Sequence, residues 1–506
     1  MDIDLIAGQT LMVGFEGKQF DDKHLEMLRD LKPSGIILFA RNVENPRQVC
    51  NLIKDFQDEA KSIGIPELVV SADQEGWPVL RFTKGFTFIP SQMCVAATGS
   101  KKLAYKLAKV ISRELKIVGV NLNLAPVLDI NTDPDNPVIG VRSFGDDPRV
   151  VAEYGETYIK AFQEEGVGAV GKHFPGHGGV NVDSHYALPI LDVDLNTLRN
   201  RELIPFRRAV EADVSSIMLA HISVPKIDDS RTPATFSKPI IDVLKKELGF
   251  KGLIMTDALE MKAISDNYEP KDVAIKAINA GVDLLLSSHS LDLQYELKES
   301  IVEGVKKGLI STKRLKEIYL KIQGFRERFP WNQDSLDGLR SREHTAVSYA
   351  VTKRAVTLVH GTLPKGFDEP VVLIPKMGVY TPVEEEIKEE VSELISGLEV
   401  CYYETNPSEH EIKELSERFA YRNILLILAK AQRYRGQLKL VEKIGEVALN
   451  LVVAAGREPY DLTHVKIDAP KLAIYTVHPT SIKALLEHLT EKTVPEGRLP
   501  VRLPSM

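Results

Sequence analysis

Residues 168–178 read Gly168-Ala169-Val170-Gly171-Lys172-His173-Phe174-Pro175-Gly176-His177-Gly178. Four small or apolar residues, enough for one buried strand, run directly into a loop of cationic, imidazole and glycine residues. The same succession of an apolar run and a polar end recurs along the first part of the chain. This recurrence is the pattern from which the fold is predicted.

Eight such runs lie between Thr10 and about Ser288, with helical stretches between them. Near-continuous apolar character is typical of parallel strands that are covered on both faces. About eight β/α repeats in roughly 250 residues is the count of a (β/α)₈ barrel. The runs are Leu11–Phe15, Gly35–Phe39, Leu68–Ser71, Asn121–Leu124, Gly168–Gly171, Ser216–Leu219, Gly252–Met255 and Val282–Leu286.

Polar residues follow five of these runs. In a (β/α)₈ barrel such positions fall at the C-terminal ends of the strands, the face on which active sites are built. We therefore expect these residues to converge, although they span nearly two hundred positions. They are Asp73-Gln74-Glu75, Asp129 with the later Arg142, Lys172-His173, His221 and Asp257.

The pattern changes after Arg326, where Pro330-Trp331-Asn332-Gln333-Asp334 is polar and interrupted by proline. We predict a barrel domain over 1–326, a connection with a helix over 327–357, and a smaller open-sheet α/β sandwich domain over 358–506. The second domain is predicted from strand-like runs alternating with helical ones. The strand-like runs are Pro370–Ile374, Leu398–Tyr403, Asn423–Leu428, Leu449–Ala455 and Leu472–Val477, and the helical ones include Val383–Ile395 and Glu409–Phe419.

The composition excludes some partners. The formal net charge of −7 is spread along the 506 residues, and no basic stripe suits a nucleic acid backbone. No apolar run approaches the roughly 20 residues that span a bilayer. We therefore expect neither nucleic acid binding nor a membrane span, and the sequence leaves the oligomeric state open.

The cysteines and the start of the chain indicate a reducing compartment. Cys50, Cys94 and Cys401 are odd in number, far apart and without C-x-x-C spacing, so neither disulfides nor a zinc site is predicted. The start Met1-Asp2-Ile3-Asp4 is acidic, whereas a signal peptide would be basic. A cytoplasmic location is expected, with secretion of a processed form as the alternative.

The histidine-rich loop allows three interpretations. Lys172, His173 and His177 could bind a ligand, or the histidines could simply close a turn through their own hydrogen bonds. Zinc is a third interpretation, with His173, His177, Asp183 and His185 as ligands. However, His-x₃-His in a glycine-rich loop lacks the usual helical geometry, and no glutamate base accompanies it, so no metal is predicted.

Two further elements carry possible chemistry. In Asp183-Ser184-His185 the aspartate can reach the imidazole Nδ1 and leave Nε2 to exchange protons near neutral pH. Asp257 ends the seventh predicted strand in Thr256-Asp257-Ala258, where its carboxylate could attack an anomeric carbon. The alternative role for Asp257 is to cap the helical stretch that follows.

Together these residues resemble the β-N-acetylglucosaminidases of glycoside hydrolase family 3. The combination of Lys-His-Phe-Pro-Gly-His-Gly with Asp-Ser-His is highly specific for that branch. The resemblance covers the barrel and continues more weakly through the second domain. The residues that carry it are the run Lys172–His185, Asp73-Gln74-Glu75-Gly76, Arg142-Ser143-Phe144-Gly145, Thr256-Asp257, Glu458-Pro459-Tyr460-Asp461-Leu462 and Gly497-Arg498-Leu499-Pro500-Val501.

The resemblance implies an exo-acting retaining hydrolase that releases terminal β-linked N-acetylglucosamine from chitin oligosaccharides or, in cell wall recycling, from muropeptides. Asp257 would form the glycosyl-enzyme, while His185, oriented by Asp183, would serve as general acid and then base. No cofactor is implied. The residues that match sugar-binding positions are Asp73, Arg81, Arg142, Lys172 and His173, and Asp129 and His221 lie at suitable strand ends.

The sequence departs from the family pattern at two places. Gly76 is followed by Trp77-Pro78 instead of a second glycine, and residues 178–181 read Gly-Gly-Val-Asn instead of Gly-Asp-Thr-Asp. Trp77 either stacks on a sugar or packs in the core. Three alternatives stay open. A phosphorylase could pass the sugar to phosphate, since a neutral histidine repels phosphate less than a glutamate would. A β-glucosidase of the same fold is the second alternative, and the changes around Trp77 allow the third, a catalytically silent glycan-binding barrel.

Overall fold

The computed structural model describes residues 2–180, 182–184, 186–376 and 398–504. Eight strands form one parallel sheet in the order β7-β6-β5-β4-β3-β2-β1-β8, and a bridge between Met255 and Leu284 closes it between β7 and β8. The predicted (β/α)₈ barrel is therefore confirmed. Its strands are β1 Leu11–Gly14, β2 Gly35–Leu38, β3 Val69–Ala72, β4 Leu122–Asn123, β5 Gly168–Phe174, β6 Ser216–Leu219, β7 Leu253–Thr256 and β8 Leu285–Ser287.

All residues of these eight strands are buried, as expected for strands between a filled interior and an outer ring of helices. Helices α1 to α13 belong to this part of the chain. They are α1 Ile3–Gly8, α2 Asp22–Leu31, α3 Pro46–Ser62, α4 Gln92–Ala97, α5 Lys101–Val118, α6 Pro148–Glu164, α7 Leu195–Asn200, α8 Leu203–Glu211, α9 Lys238–Asp242, α10 Lys262–Ser265, α11 Pro270–Ala280, α12 Leu291–Lys306 and α13 Thr312–Arg328.

Local sequence explains where the helices begin. In α3 the Asn45 side chain accepts a hydrogen bond from the Gln48 amide, and Pro46 occupies the first turn, where its missing N–H costs nothing. Serines cap α5, α12 and α13 in the same way. None of the described helices combines the length and hydropathy needed to cross a membrane.

A second, six-stranded sheet has the order β11-β10-β12-β13-β14-β9, parallel except for β9. The predicted open-sheet α/β domain is therefore confirmed, whereas the predicted helix Val383–Ile395 lies outside the described residues. The strands are β9 Thr357–His360, β10 Val371–Pro375, β11 Val400–Tyr403, β12 Asn423–Leu428, β13 Asn450–Ala455 and β14 Lys471–Ala473, and the helices are α14 Arg342–Ala355, α15 Glu409–Arg418, α16 Gly436–Val447 and α17 Pro479–Thr490.

Two details of this sheet differ from the sequence prediction. The helix expected to reach Thr357 ends at Ala355, because Thr357 begins β9, which pairs antiparallel with β14. The strand expected over Leu472–Val477 ends at Ala473, and Tyr475 adopts a positive φ of 58° that no strand tolerates. The first difference arises from tertiary pairing at the edge of the sheet, and the second from the left-handed backbone at Tyr475.

The second domain packs on the polar face of the barrel. Asn131 Nδ2, in the loop after β4, donates to the Tyr460 hydroxyl at 3.0 Å, and Ser91 Oγ donates to the carbonyl of Tyr475 at 2.9 Å. The Phe88 and His478 rings stack with centroids 3.5 Å apart. These contacts fix the loops that follow β3 and β4.

The closure of the barrel depends on a buried carboxylate. Asp283, just before β8, is fully buried and accepts hydrogen bonds from Arg314 Nη2 and Lys321 Nζ, both at 2.8 Å. It also accepts from the Ile254 amide of β7 at 3.0 Å. Asp283 thus joins the last two strands to α13.

Asp283→Ala should destabilise the barrel, because two cations and an amide lose the buried carboxylate to which they donate. We expect the free energy of unfolding to fall by about 3 kcal/mol. The midpoint of urea denaturation, followed by circular dichroism, measures this loss. The control is Asp55→Ala, which removes an exposed carboxylate from α3 and should leave the midpoint unchanged; an equal effect of both variants would contradict the assignment.

Candidate active site

The carboxyl ends of strands β3 to β7 meet on one face of the barrel. Each of the five polar clusters singled out in the sequence lies there, within or just after its strand. One boundary differs from the prediction: Lys172 and His173 belong to β5, which continues to Phe174 through a register shift after Gly171. The shift is a local irregularity in pairing that re-aims side chains, which periodicity alone does not reveal.

Lys172 lies at the centre of a network of buried charges. Its Nζ is 2.7 Å from Asp73 Oδ1 and 2.6 Å from Glu75 Oε1, and its side chain is only 2% exposed. Arg142 forms a bidentate pair with Glu75, with distances of 2.9 and 2.8 Å, and Arg81 Nη2 lies 3.1 Å from Asp73 Oδ2. The structure therefore brings together four of the five predicted sugar-binding residues.

The network keeps its acids ionised. Burial opposes the ionisation of Asp73, but Lys172 and Arg81 outweigh it and hold the pKa of Asp73 far below its usual range. Burial opposes ionisation of Glu75 in the same way, and Arg142 and Lys172 lower its pKa. Burial also acts against the charge on Lys172, yet the two carboxylates raise its pKa. The cluster thus presents fixed charges of both signs, able to bind hydroxyl groups strongly.

Glu75 was not among the predicted site residues, although the sequence places it in the cluster after the third strand. Its side chain is 1% exposed, whereas that of Asp73 is 14% exposed. Glu75 is therefore the buried partner of Lys172 and Arg142, and Asp73 is the acid that a ligand can reach. Sequence spacing could not separate these roles, since both acids stand at strand-end positions.

Asp129 is a second buried carboxylate, and it orders the histidines. Its Oδ2 lies 2.7 Å from His173 Nδ1, and its Oδ1 accepts from the amides of His173 at 3.2 Å and His177 at 2.6 Å. Burial opposes ionisation, but these histidines lower the pKa of Asp129. A carboxylate accepts hydrogen bonds, so Nδ1 of His173 carries the proton and Nε2 is the other ring nitrogen.

Asp257 directly follows β7 and is partly exposed on the same face. Its Oδ1 accepts from the Ala258 amide at 2.7 Å. Burial opposes ionisation, but His173 and His221, together with that amide and Lys172, hold the pKa of Asp257 below its usual value. The result is an ionised carboxylate beside the charged cluster around Lys172, a suitable state for a nucleophile.

His221 supports the segment after Asp257. It is fully buried, with Nε2 3.0 Å from the Ala258 carbonyl and Nδ1 2.6 Å from Thr235 Oγ1. A carbonyl only accepts, so Nε2 donates to it. Both ring nitrogens therefore form hydrogen bonds within the protein, and His221 fixes the backbone next to Asp257.

Ser184, the central residue of Asp183-Ser184-His185, contacts the segment after Asp257. His185 is outside the described residues, and Asp183 is described and makes interactions of its own. Ser184 is buried; its Oγ is 3.1 Å from His177 Nε2, and its carbonyl accepts from the Ala263 amide of α10 at 3.3 Å. The loop is thus attached both to the histidine-rich segment and to the helix that follows Asp257.

The histidine-rich loop lies unusually close to the loop after β4. A Cβ on Gly178 would lie 1.7 Å from the Ile130 carbonyl oxygen, so only glycine fits there. Asn136 Nδ2 lies within hydrogen-bond distance of the carbonyls of His177, Gly178 and Val180. These contacts keep Gly178 and its neighbours in place despite the departure from the family pattern.

Trp77 is packed in the interior. Its side chain is 3% exposed, and the Arg457 guanidinium of the second domain lies over its ring, 5.2 Å from the ring centroid. Of the two roles that the sequence left open, these contacts correspond to the packed one. Trp77 therefore connects the loop after β3 to the second domain.

Comparisons with known proteins agree with this architecture. The family model described as "Glycosyl hydrolase family 3 N terminal domain" matches residues 3–324. The chain is 34% identical over 368 residues to "Beta-hexosaminidase A" of Pseudoalteromonas piscicida, covering 67% of this chain and 62% of that protein. It is 35% identical over 298 residues to "Beta-hexosaminidase" of Nitrosomonas eutropha, covering 58% of this chain and 84% of the relative.

Similarity in structure extends over the whole chain. A glycoside hydrolase family 3 beta-N-acetylglucosaminidase from Paenibacillus sp. str. FPU-7 is 32% identical, with 99% of both chains covered and a TM-score of 0.92. The two-domain arrangement is therefore shared with a solved member of the family. From the matched barrel, the sequence relatives and this structural similarity, we conclude that the chain belongs to glycosyl hydrolase family 3.

Proposed function

We propose that the chain is a retaining, exo-acting β-N-acetylglucosaminidase that hydrolyses terminal β-linked N-acetylglucosamine of chitin oligosaccharides or muropeptides. The observation that carries this proposal is the ionised Asp257 carboxylate, which lies beside the buried cluster of Lys172 and Asp73. The name of the structural relative supports the same sugar, and the names of the sequence relatives support a hexosaminidase. The chain spans 62% of the P. piscicida relative, so the activity rests on the site rather than on the match.

In the first step an Asp257 oxygen bonds to the anomeric carbon while the bond to the leaving oxygen breaks. That oxygen keeps the electron pair and takes a proton from His185. In the second step His185 removes a proton from water, and the water oxygen displaces Asp257 from the sugar. Asp183 orients the His185 imidazole and stabilises its positive charge.

The cluster around Lys172 would hold the terminal sugar. Asp73 accepts from sugar hydroxyls, while Lys172, Arg81 and Arg142 donate to sugar oxygens. Their mutual ion pairs fix the side chains before the substrate binds, which lowers the entropic cost of orienting it. His173, with Nδ1 held by Asp129, would present Nε2 to the ligand.

Product analysis tests this function. Purified protein should release p-nitrophenol faster from the N-acetylglucosaminide than from the glucoside, with free sugar as product both with and without phosphate. Exclusive formation of sugar 1-phosphate would make the protein a phosphorylase. Preference for the glucoside would overturn the substrate assignment, and no turnover of either would favour a glycan-binding barrel.

Asp257→Asn should lower kcat by at least about 10³-fold, because an amide of the same size cannot form the glycosyl-enzyme. Steady-state kinetics on the p-nitrophenyl substrate measure the loss, and circular dichroism checks the fold. Asp266→Asn removes an exposed charge nearby and serves as the control. Wild-type turnover by Asp257→Asn would rule out the nucleophile assignment.

His185→Ala should discriminate between leaving groups. Protonation matters most for a poor leaving group, so kcat/KM should fall by about 10²- to 10⁴-fold on N,N′-diacetylchitobiose and far less on a dinitrophenyl N-acetylglucosaminide. Added azide, which attacks without general-base help, should restore kcat on the dinitrophenyl substrate. An equal loss on both substrates would argue against the acid role.

A further inference from the structure

His177 is a buried histidine with no role in the steps proposed above. It is 3% exposed, and its amide donates to Asp129 Oδ1 at 2.6 Å. Its Nε2 lies 3.1 Å from Ser184 Oγ, whereas its Nδ1 has no hydrogen-bond partner in the part of the chain that the structure describes. Among the described residues, the one hydrogen bond of the ring is therefore directed at the serine between Asp183 and His185.

Ser184 is held from two sides. Its hydroxyl contacts His177, whose amide donates to Asp129, and its carbonyl accepts from the Ala263 amide, six residues after Asp257. The serine is 2% exposed although it belongs to a loop with exposed neighbours such as Tyr186. The acid/base triplet is thus attached through its central residue to both walls of the site.

The imidazole of His177 is in the neutral form. Burial is the main reason: it lowers the pKa of His177 to about 4, while Asp129 opposes that shift and His173 and Arg142 add to it. A neutral imidazole forms a hydrogen bond with a hydroxyl whichever nitrogen carries the proton. A proton donor with this pKa and this burial is unsuited to protonating a leaving group at neutral pH.

We propose that His177 is a positioning residue, whose hydrogen bond to Ser184 orders the loop that carries the proposed acid/base residues Asp183 and His185. This inference rests on the proposed function, in which that pair is the acid and base. Asp129 would then act on both histidines. The same carboxylate orients the proposed sugar-binding His173 and holds His177, which contacts the acid/base loop.

Three variants separate positioning from packing. Ser184→Ala removes the hydroxyl with little change in volume. His177→Leu keeps the size and removes the hydrogen bond, while His177→Gln places an amide near the position of Nε2 and restores it. The matched control is Ser223→Ala, a buried serine whose hydroxyl has no partner in the described ranges and whose backbone pairs with Pro189 and Leu191 at the far end of the same loop.

We expect Ser184→Ala and His177→Leu to lower kcat/KM on N,N′-diacetylchitobiose by about 10- to 100-fold, the usual effect of a misplaced catalytic group. The dinitrophenyl substrate, which needs no protonation, should lose less than about threefold. His177→Gln should recover most of the chitobiose activity, and Ser223→Ala should match the wild type. His177→Leu and Ser184→Ala remove the same contact. The double variant His177→Leu/Ser184→Ala should therefore lose no more activity than either single variant.

His185→Ala is the reference that separates the two proposals. If it shows no dependence on the leaving group, the acid assignment fails, and this inference fails with it. If the loss in His185→Ala depends on the leaving group and the loss in Ser184→Ala does not, the catalytic assignment stands and the positioning role of the His177–Ser184 hydrogen bond is wrong. Equal losses of kcat/KM on both substrates, or fully additive losses in the double variant, would also overturn the positioning role of His177. If His177→Leu does not fold, the result with Ser184→Ala decides.

The pH dependence of stability provides an independent readout. Unfolded His177 titrates near its ordinary pKa of about 6.5, whereas the folded residue resists protonation down to about 4. Between about pH 6.5 and about pH 4 the unfolded state therefore binds a proton on His177 that the folded state does not bind. The folded state loses stability as pH falls through that range. The gap in urea midpoint between wild type and His177→Gln should shrink from pH 7.5 to pH 4.5, and a constant gap would contradict a neutral buried His177.

Discussion

The ammonium group of Lys172 has almost no access to water, and its pairing with Asp73 and Glu75 determines the polar face of the barrel. A buried charge that loses its partners costs several kcal/mol, so the ends of β3 and β5 are held together. Arg142, in the loop after β4, adds a second cation to Glu75 by pairing with both of its carboxylate oxygens. The three strand ends therefore form one rigid unit before any ligand binds.

Asp129 performs a similar task for the histidines, but through hydrogen bonds of a single carboxylate rather than a charge network. It contacts both His173 and His177, so the proposed sugar-binding histidine and the histidine that contacts Ser184 share one anchor. A shift of one would displace the other, because the fully buried carboxylate has no room to follow only one partner. In the proposed function, binding of the sugar and placement of the acid/base loop are therefore coupled by geometry.

The second domain stabilises this face from outside. Arg457 covers Trp77, and Tyr460 accepts from Asn131, so the loops after β3 and β4 are both held by residues far along the chain. The residues proposed for catalysis all belong to the barrel. The departure from the family pattern at Trp77 is therefore accommodated between domains, where an aromatic ring gains contacts with a guanidinium.

The sequence alone determined the eight barrel strands, the open sheet and the grouping of Asp73, Asp129, Lys172, His221 and Asp257 on one face. Apolar runs and strand-end positions are local features that periodicity reports. Only the tertiary structure decided that Glu75 is buried support while Asp73 is reachable, that His221 is engaged on both nitrogens, and that His177 contacts Ser184. Burial and hydrogen-bond partners depend on residues distant in sequence, such as Thr235 for His221 and Arg457 for Trp77, so spacing along the chain does not encode them.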